Sequence, residues 1–454
     1  MRVLVIGLGA TGEAVARHFA SQGSTVVVVE DAPSASAAYA DRAATLEEVG
    51  ARLVEQPSSD DAVALAAEAD LVVPSPGVPE RHAAIGAAQR AGTPVRSEID
   101  LAAELARSQT RPAIVAVTGT NGKTTVTTLT AAILDAAGST VAAAGNIGRP
   151  LLDAVTDDVE VVVAEVSSFQ LALTTDLAPR AAALLNLGAD HLDWHRTFDA
   201  YAQAKAKVFA GQRADDVLVF NADDPVVAGL AAAAPGRRVP VSVTAGAATG
   251  YRVAETASGA LLVGPDGAEI VAVEALPLRA PHDLANALSA AALAIDLGAD
   301  RHAVASVLRS FSGLAHRTQL VADHDGVRWV DDSKATNPHA TLAAVRALQG
   351  VVLLAGGRNK GLDLSELRAL TPHLRAVVAI GESGPEVADV FEGAVPVVLA
   401  TSMADAVHVA AGLAQRGDTV LLSPACASFD WYASYTARGD DFAHEVRTLL
   451  GVQR

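Results

Sequence analysis

Along the first hundred residues, short apolar runs alternate with Ala-rich stretches of mixed polarity. Val3 to Ile6, Thr25 to Glu30 and Asp70 to Val73 read as strands with helical segments between them. Such alternation predicts a parallel α/β unit. A helix over Glu98 to Ala106 leads through Gln109-Thr110-Arg111-Pro112 into a new strand at Ala113 to Val117, and the pattern restarts. Further strands are expected at Val159 to Glu165, Ala181 to Asn186 and Val217 to Phe220. Between Thr244 and Val273 the chain turns to Gly-rich short strands, a hairpin excursion, and a long helix follows at Asp283 to Leu297. From near Gly313 a third round places strands at Val351 to Leu354, Ala376 to Ile380, Val397 to Leu399 and Thr419 to Leu422. The expected fold class is α/β, as three consecutive α/β domains over 1–105, 106–312 and 313–454. The first and last are Rossmann-like and the middle one carries a phosphate loop.

A chain of 454 residues, half of them apolar, can build several buried cores. No apolar run approaches the roughly 18 residues that cross a bilayer. The sequence enters its first strand at Met1-Arg2-Val3 without a charged-then-apolar leader. One cysteine, Cys426, excludes an intrachain disulfide framework. The expectation is a cytoplasmic protein that binds no membrane. A formal net charge of −18 also argues against nucleic acid, which needs a basic face. Of 34 basic residues only Lys123, Lys205, Lys207, Lys334 and Lys360 are lysine. Arginine does the routine surface work, so each lysine is a candidate for point-charge or amine chemistry that arginine cannot perform.

The strongest motif is Val115-Ala116-Val117-Thr118-Gly119-Thr120-Asn121-Gly122-Lys123-Thr124-Thr125, a buried strand, a glycine turn and a helix start. Backbone N–H groups in such a turn form an anion cradle at the helix N-terminus. Lys123 would reach terminal phosphates and the Thr124 hydroxyl would bind Mg²⁺. Val117 stands where the strict phosphate-loop pattern has its first glycine. A second turn, Gly7-Leu8-Gly9-Ala10-Thr11-Gly12, follows the first strand, with Glu30 ending the next. This is a dinucleotide fingerprint and implies NAD, although the same turn suits any diphosphate. A non-ligase NTPase switch with an NAD-binding first domain is therefore one reading.

Further motifs are Gly145-Asn146-Ile147-Gly148, Glu165-Val166-Ser167-Ser168-Phe169-Gln170, Asn186-Leu187-Gly188-Ala189-Asp190-His191-Leu192-Asp193 and His316-Arg317. Asp332-Ser333-Lys334-Ala335-Thr336-Asn337, Gly356-Gly357-Arg358-Asn359-Lys360-Gly361 and Ser423-Pro424-Ala425-Cys426-Ala427-Ser428 follow. Together with the phosphate loop they resemble the Mur ligase family, in order and over nearly the whole chain. The resemblance implies a first domain for a UDP-sugar, a central ATPase, and a C-terminal domain that binds the amino acid and closes over both. It implies that D-glutamate is added to UDP-N-acetylmuramoyl-L-alanine through an acyl phosphate and a tetrahedral intermediate, leaving ADP and phosphate; a monomer is the separate expectation. The nearest rival is a folylpolyglutamate synthetase, against which the Gly7 to Gly12 domain counts.

Residue roles also follow from the resemblance. Gly119, Thr120, Asn121, Gly122, Lys123, Thr124 and Thr125 would hold ATP phosphates; Asn286, Arg317 and Asp332 would meet adenine, phosphate and ribose, with Lys334 bridging phosphates. Thr124, Glu165, His191 and Lys205 would hold two Mg²⁺ ions, Lys205 as a carbamate made with CO₂; Lys123, Glu165, His191 and Lys205 form the catalytic set. Gly9, Ala10, Thr11 and Ser75 would lie at the uridine diphosphate, and Asn146, Ser167, Gln170 and His191 at the muramoyl-alanine end. Thr336, Lys360, Ser428 and Tyr435 would hold D-glutamate, whose carboxylates need a cation and hydroxyl or backbone donors. Asp190, Asp193 and His195 could suggest zinc, but no matching Cys or His pair follows; they are expected to be surface groups, as is Lys207. The chain departs from the family in two places: Asp283 replaces its usual Asn, and Asp31 and Ala32 replace polar and basic groups that meet uracil.

Overall fold

The computed structural model describes every residue except 35, 110, 245, 248, 258, 347 and 452–454. By its internal contacts the chain forms two compact units, Met1–Leu187 with Ala202–Phe311, and Gly188–Tyr201 with the chain from Ser312 onward. No helix among the described residues is long and apolar enough to cross a membrane.

The first unit contains two sheets. Strands β1 (Arg2–Ile6), β2 (Thr25–Glu30), β3 (Arg52–Glu55) and β4 (Leu71–Pro74) are all parallel in the order β3-β2-β1-β4. The second sheet has β5 (Ala113–Thr118), β6 (Val141–Gly145), β7 (Val161–Glu165), β8 (Ala181–Leu184) and β9 (Val217–Asn221). It continues through β10 (Arg237–Ser242), β11 (Tyr251–Thr256), β12 (Gly259–Val263) and β13 (Glu269–Ala272). Its order is β13-β12-β11-β10-β9-β8-β5-β7-β6, with antiparallel pairing only in the β11-β12-β13 meander. That meander is the hairpin excursion expected from the Gly-rich stretch. The interior strands β8, β5 and β7 are buried valine and alanine runs because helices cover both faces.

Helix Lys123–Ala136 turns Val126, Leu129, Ile133 and Leu134 onto Val115 and Val117 of β5. Helix Pro281–Asp296 packs beside it through Leu288, Ala291 and Ala292. Alanines on the packing face let the two helices approach closely, and burying a leucine or isoleucine there contributes about 2 kcal/mol. The two sheets of this unit are joined by helix Glu98–Ser108, capped by the Ser97 hydroxyl. Its Asp100 carboxylate, fully buried, accepts the Thr175 and Asp176 N–H groups, and Arg17 pairs with Asp153 at 2.9 Å. Glu98 accepts the Leu152 N–H at 2.5 Å, while its other oxygen has no hydrogen-bond partner among the described residues. That half-satisfied, buried carboxyl is pushed up to about 7 by burial, against the pull of the Leu152 N–H.

The second unit carries β14 (Gln319–His324), β15 (Val327–Asp331), β16 (Val351–Gly356), β17 (Leu374–Ile380), β18 (Val397–Leu399) and β19 (Thr419–Ala425). Their order is β14-β15-β19-β16-β17-β18, with only the β14–β15 pair antiparallel. Successive residues of β16 enter opposite cores: Val351, Leu353 and Ala355 one, Val352 and Leu354 the other. Three parallel-dominated α/β sheets match the expected fold class. Strands β3, β6, β10, β14 and β15 were not anticipated.

Glu98 supplies the stability prediction. Its folded value lies above the ordinary 4.5, so its contribution is complete below 4.5 and disappears as pH rises through about 7. Glu98→Gln stays neutral throughout. Urea unfolding of both proteins between pH 4.5 and 8.5 should show wild type losing on the order of 3 kcal/mol relative to the variant. Parallel curves would contradict the assignment.

Candidate active site

All three sheets carry the motif loops at the carboxyl ends of parallel strands, where ligands bind in open α/β sheets. In the second sheet the loop after β5 is held in shape by Asn186, which follows β8. Thr120 N–H donates to the Asn186 carbonyl at 2.8 Å, Asn121 N–H to Asn186 Oδ1 at 2.8 Å, and Asn186 Nδ2 to the Asn121 carbonyl at 3.0 Å. Gly122 caps helix Lys123–Ala136 at φ +85°, with no side chain spent on the helix N-terminus. A Cβ there would stand 2.4 Å from Asn286 Oδ1, so the buried amide of the Pro281 helix lies directly against the loop. Lys123 Nζ donates to the Gly119 and Thr120 carbonyls at 3.0 and 2.8 Å.

Beside the loop, Thr124 Oγ donates to Glu165 Oε2 at 2.7 Å, and Asn146 Nδ2 donates to Glu165 Oε1 at 2.8 Å. A hydroxyl and a carboxylate in contact form a hard-oxygen pair of the kind Mg²⁺ selects. Lys205, only 1% exposed on helix Phe198–Ala210, brings its amine to 2.7 Å from the Gly119 carbonyl and 3.4 Å from Thr118 Oγ. The cradle, the oxygen pair and the adjoining lysine fit a nucleoside triphosphate with Mg²⁺. Ser167 and Gln170, by contrast, satisfy each other: Gln170 N–H donates to Ser167 Oγ, and Ser167 N–H to Gln170 Oε1, a capping box on helix Ser168–Ala172.

In the first sheet Gly9 faces open space, whereas a Cβ on Gly12 would strike the Gly7 carbonyl. Ala10 and Thr11 open the helix Ala10–Ser21 behind the turn. Ser75 donates to the Gly7 carbonyl at 2.8 Å and Glu30 accepts the Leu8 N–H at 2.7 Å, so both brace the turn. Beyond the ends of β2 and β3 lies a cavity of about 380 Å³ lined by Asp31, Gln56, Ser58, Ser59 and His82. His82 Nε2 is 3.1 Å from Asp31 Oδ2.

In the second unit, Thr336 follows β15, Ser428 follows β19 and Lys360 follows β16, three neighbouring strands. Tyr435 begins helix Tyr435–Leu450, with Lys334 Nζ 5.3 Å from its ring centroid. Lys360 is paired with Asp190 at 2.6 Å, and Asn337 Nδ2 donates to the other Asp190 oxygen at 3.0 Å. His191 sits next to this pair in chain order, in the left-handed region at φ +53°. Asp332 is buried, accepts from Ser423 Oγ at 2.8 Å and from the Thr318 N–H, and burial pushes its carboxyl up to about 7. The charge of Arg317 pulls the other way, and Arg317 Nε is buried without a hydrogen-bond partner among the described residues. An orphaned guanidinium N–H beside a carboxyl suits a phosphate ligand.

Three expectations need correction. Asp190 is 5% exposed and ion-paired because the lysine after β16 reaches it, and His195 is buried edge-on against Tyr201. Asp193 is exposed, as expected. Lys207 is half-buried, its amine donating to the Ala172 carbonyl and its pKa lowered by burial. Asn186, Asp190 and Asn337 all stand inside quoted motifs, yet no role was read for them. Their signal was an amide or carboxylate adjacent to a glycine turn or a candidate lysine.

Comparison with known proteins follows this geometry. Residues 1–97 match the MurD-like N-terminal domain of Mur ligases, 117–294 the Mur ligase middle domain, and 316–426 the Mur ligase glutamate ligase domain. A UDP-N-acetylmuramoylalanine–D-glutamate ligase of Frankia casuarinae is 45% identical over 99% of this chain and 94% of its own. The chain belongs to the Mur ligase family. A ligase of the same name from Methylococcus capsulatus is 42% identical over 99% of this chain and 95% of its own. Among solved structures, MurF of Acinetobacter baumannii superimposes with a TM-score of 0.64 at 17% identity, covering 97% of this chain and 93% of that one. This Mur ligase thus shares its fold with distant members and most of its length with the D-glutamate ligases.

The loop geometry predicts the effect of Gly122→Ala. An alanine at φ +85° costs about 1–2 kcal/mol, and its methyl displaces Asn286. ATP affinity, measured by titration calorimetry, should fall roughly 5- to 30-fold. Unchanged affinity would mean that the loop does not bind nucleotide in this shape.

Proposed function

We propose that this chain joins D-glutamate to UDP-N-acetylmuramoyl-L-alanine at the expense of ATP, in cytoplasmic peptidoglycan precursor synthesis. What carries the reading is identity of 45% and 42% over 99% of the chain with two ligases of that name. The phosphate loop and its Thr124–Glu165 neighbour supply the chemistry such a ligase needs. A carboxylate does not react with an amine at useful rate because oxide is a poor leaving group. Transfer of the γ-phosphoryl group to the substrate carboxylate breaks its bond to the bridging oxygen, giving an acyl phosphate and ADP. The amine of glutamate attacks its carbonyl carbon, and the tetrahedral intermediate collapses with loss of phosphate.

The chain's own contribution is to place and to neutralise. The turn Gly119–Thr125 holds the triphosphate, and Lys123 turns its ammonium to the terminal phosphates. Thr124, Glu165 and His191 are assigned to two Mg²⁺ ions, which when bound spread the negative charge of the phosphates. Lys205 is assigned as a carbamate that adds an anionic oxygen to the metal set. Its support is the resemblance, together with an amine held at the Gly119 carbonyl. Asn286, Arg317, Asp332 and Lys334 are assigned to ATP, with the orphaned Arg317 Nε as the phosphate donor. Thr336, Lys360, Ser428 and Tyr435 are assigned to glutamate; its carboxylate takes over the Lys360 ammonium from Asp190.

Gly9, Ala10, Thr11 and Ser75 are assigned to the uridine diphosphate, and Asn146, Ser167, Gln170 and His191 to the muramoyl-alanine end. With Ala32 offering no polar group, the cavity at Asp31, Gln56 and His82 is the site assigned to the pyrimidine. The domain limits 1–105, 106–312 and 313–454, and a monomeric enzyme, belong to the same proposal.

Phosphate release with UDP-N-acetylmuramoyl-L-alanine and ATP should run with D-glutamate at least tenfold faster than with L-glutamate, L-alanine or meso-diaminopimelate. Preference for another amino acid would overturn the substrate assignment. Under ¹³C-labelled bicarbonate, wild type should show a carbamate resonance that Lys205→Arg lacks. Equal spectra would remove the carbamate and leave the ligase reading standing.

A further inference from the structure

The two glycine turns and the lysines have roles in the reading above, but the largest fully buried side chain has none. Arg438 is 1% exposed, one turn into helix Tyr435–Leu450. A buried guanidinium normally meets a carboxylate, yet no ion pair to Arg438 is present among the described residues. All its hydrogen bonds go to neutral oxygens. Nε donates to Ser333 Oγ at 3.0 Å, Nη2 to the Ser333 carbonyl at 2.8 Å, and Nη1 to the Cys426 carbonyl at 3.1 Å.

Those partners fall on separate loops. Ser333 precedes Thr336 on the loop after β15, and Cys426 precedes Ser428 on the loop after β19, where Ala425 holds φ +62°. The loop after β16, which leads to Lys360, also closes on this group: a Cβ on Gly357 would lie 3.2 Å from Nη1 and 2.3 Å from the Ala427 carbonyl. The network returns to the helix itself, since Ser333 Oγ donates to the Tyr435 carbonyl at 2.8 Å. The next residue, Gly439, must lack a side chain, because a Cβ would sit 2.3 Å from His316 Nδ1 and 2.6 Å from Asp331 Oδ2. The guanidinium thus bonds the loops that carry Thr336 and Ser428, lies close to Gly357 on the loop that carries Lys360, and belongs to the helix that Tyr435 begins.

We propose that Arg438 is the positioning residue of the amino-acid pocket: its planar fork fixes the spacing of the three loops and the helix start that hold the substrate's two carboxylates. This rests on the assignment of those four residues to glutamate. Geometry is what a lysine cannot replace, because a point-charge ammonium lacks the fork that spans Ser333 and Cys426 at once. The charge matters as well. Burial pushes the guanidinium's pKa down to about 10, so it stays cationic at neutral pH beside the loops assigned to the substrate's two carboxylates. The carboxylates of Asp430 and Asp331 lie near enough to favour its charged form, although neither is hydrogen-bonded to it.

The test is steady-state kinetics on Arg438→Lys, Arg438→Ala and the milder Ser333→Ala, with KM determined separately for amino acid, ATP and UDP-substrate. The expected result is a KM for glutamate raised at least tenfold in both Arg438 variants. Ser333→Ala should give a smaller rise, and KM for ATP and for the UDP-substrate should stay within about twofold. Added guanidinium ion at low millimolar concentration should lower the glutamate KM of Arg438→Ala towards wild type, and methylammonium should not. A uniform rise in all three KM values with a depressed Tm in Ser333→Ala as well, or no rise for the amino acid, would overturn the proposal. If wild type turns over a different amino acid, the substrate assignment fails by itself, and the same KM comparison with that amino acid still decides the role of Arg438.

Discussion

The turn between β5 and helix Lys123–Ala136 must aim several backbone N–H groups at one point, and much of the first unit is arranged to permit it. Gly119 and Gly122 take backbone angles that other residues adopt only at a cost. Asn186 fastens the turn from the neighbouring strand end, and Asn286 closes on it from the Pro281 helix. The buried helix pair then has little freedom, because its alanine faces allow only one close approach. Thr124 and Glu165 are consequently held in contact. Preorganisation of this kind is where a phosphoryl-transfer enzyme can spend its folding energy to catalytic effect.

The same logic recurs with different chemistry in the other sheets. The first sheet builds its turn from Gly7, Gly9 and Gly12 and braces it with Ser75 and Glu30. In the second unit the candidate residues lie on loops at adjacent strand ends, where a buried guanidinium ties the loop after β15 to the loop after β19 and Asp190 pairs with Lys360. A chain with net charge −18 can thus handle anionic substrates, because Lys123, Lys205, Lys334 and Lys360 stand in or beside the candidate loops while arginines carry the surface charge.

Sequence reading reached the elements whose patterns are unambiguous. Val351 to Leu354 and Val26 to Val29 are continuous apolar runs, and both lie in strands. It missed β6, Val-Ala-Ala-Ala-Gly, since alanine favours helix and only the place beside β7 makes it a strand. It missed β3 because Arg52 and Glu55 bracket just two apolar residues at a sheet edge, and β10 because Pro240 interrupts it. The loops were legible because glycines and lysines mark them. The partners that hold those loops were not. Asn186, Asp190 and Arg438 act across 65, 170 and 105 residues of chain, and their types are ordinary on a surface. Burial and pairing alone set them apart.

The central claim is that a nucleoside triphosphate lies in the turn after β5 with its last phosphate at the Lys123 ammonium. Rapid-quench measurement of phosphate formed from ATP and UDP-N-acetylmuramoyl-L-alanine, comparing wild type with Lys123→Ala at saturating ATP, tests this most directly. The account predicts a loss of at least a hundredfold in the variant with its fold intact by circular dichroism. A variant that forms product at the wild-type rate would contradict it.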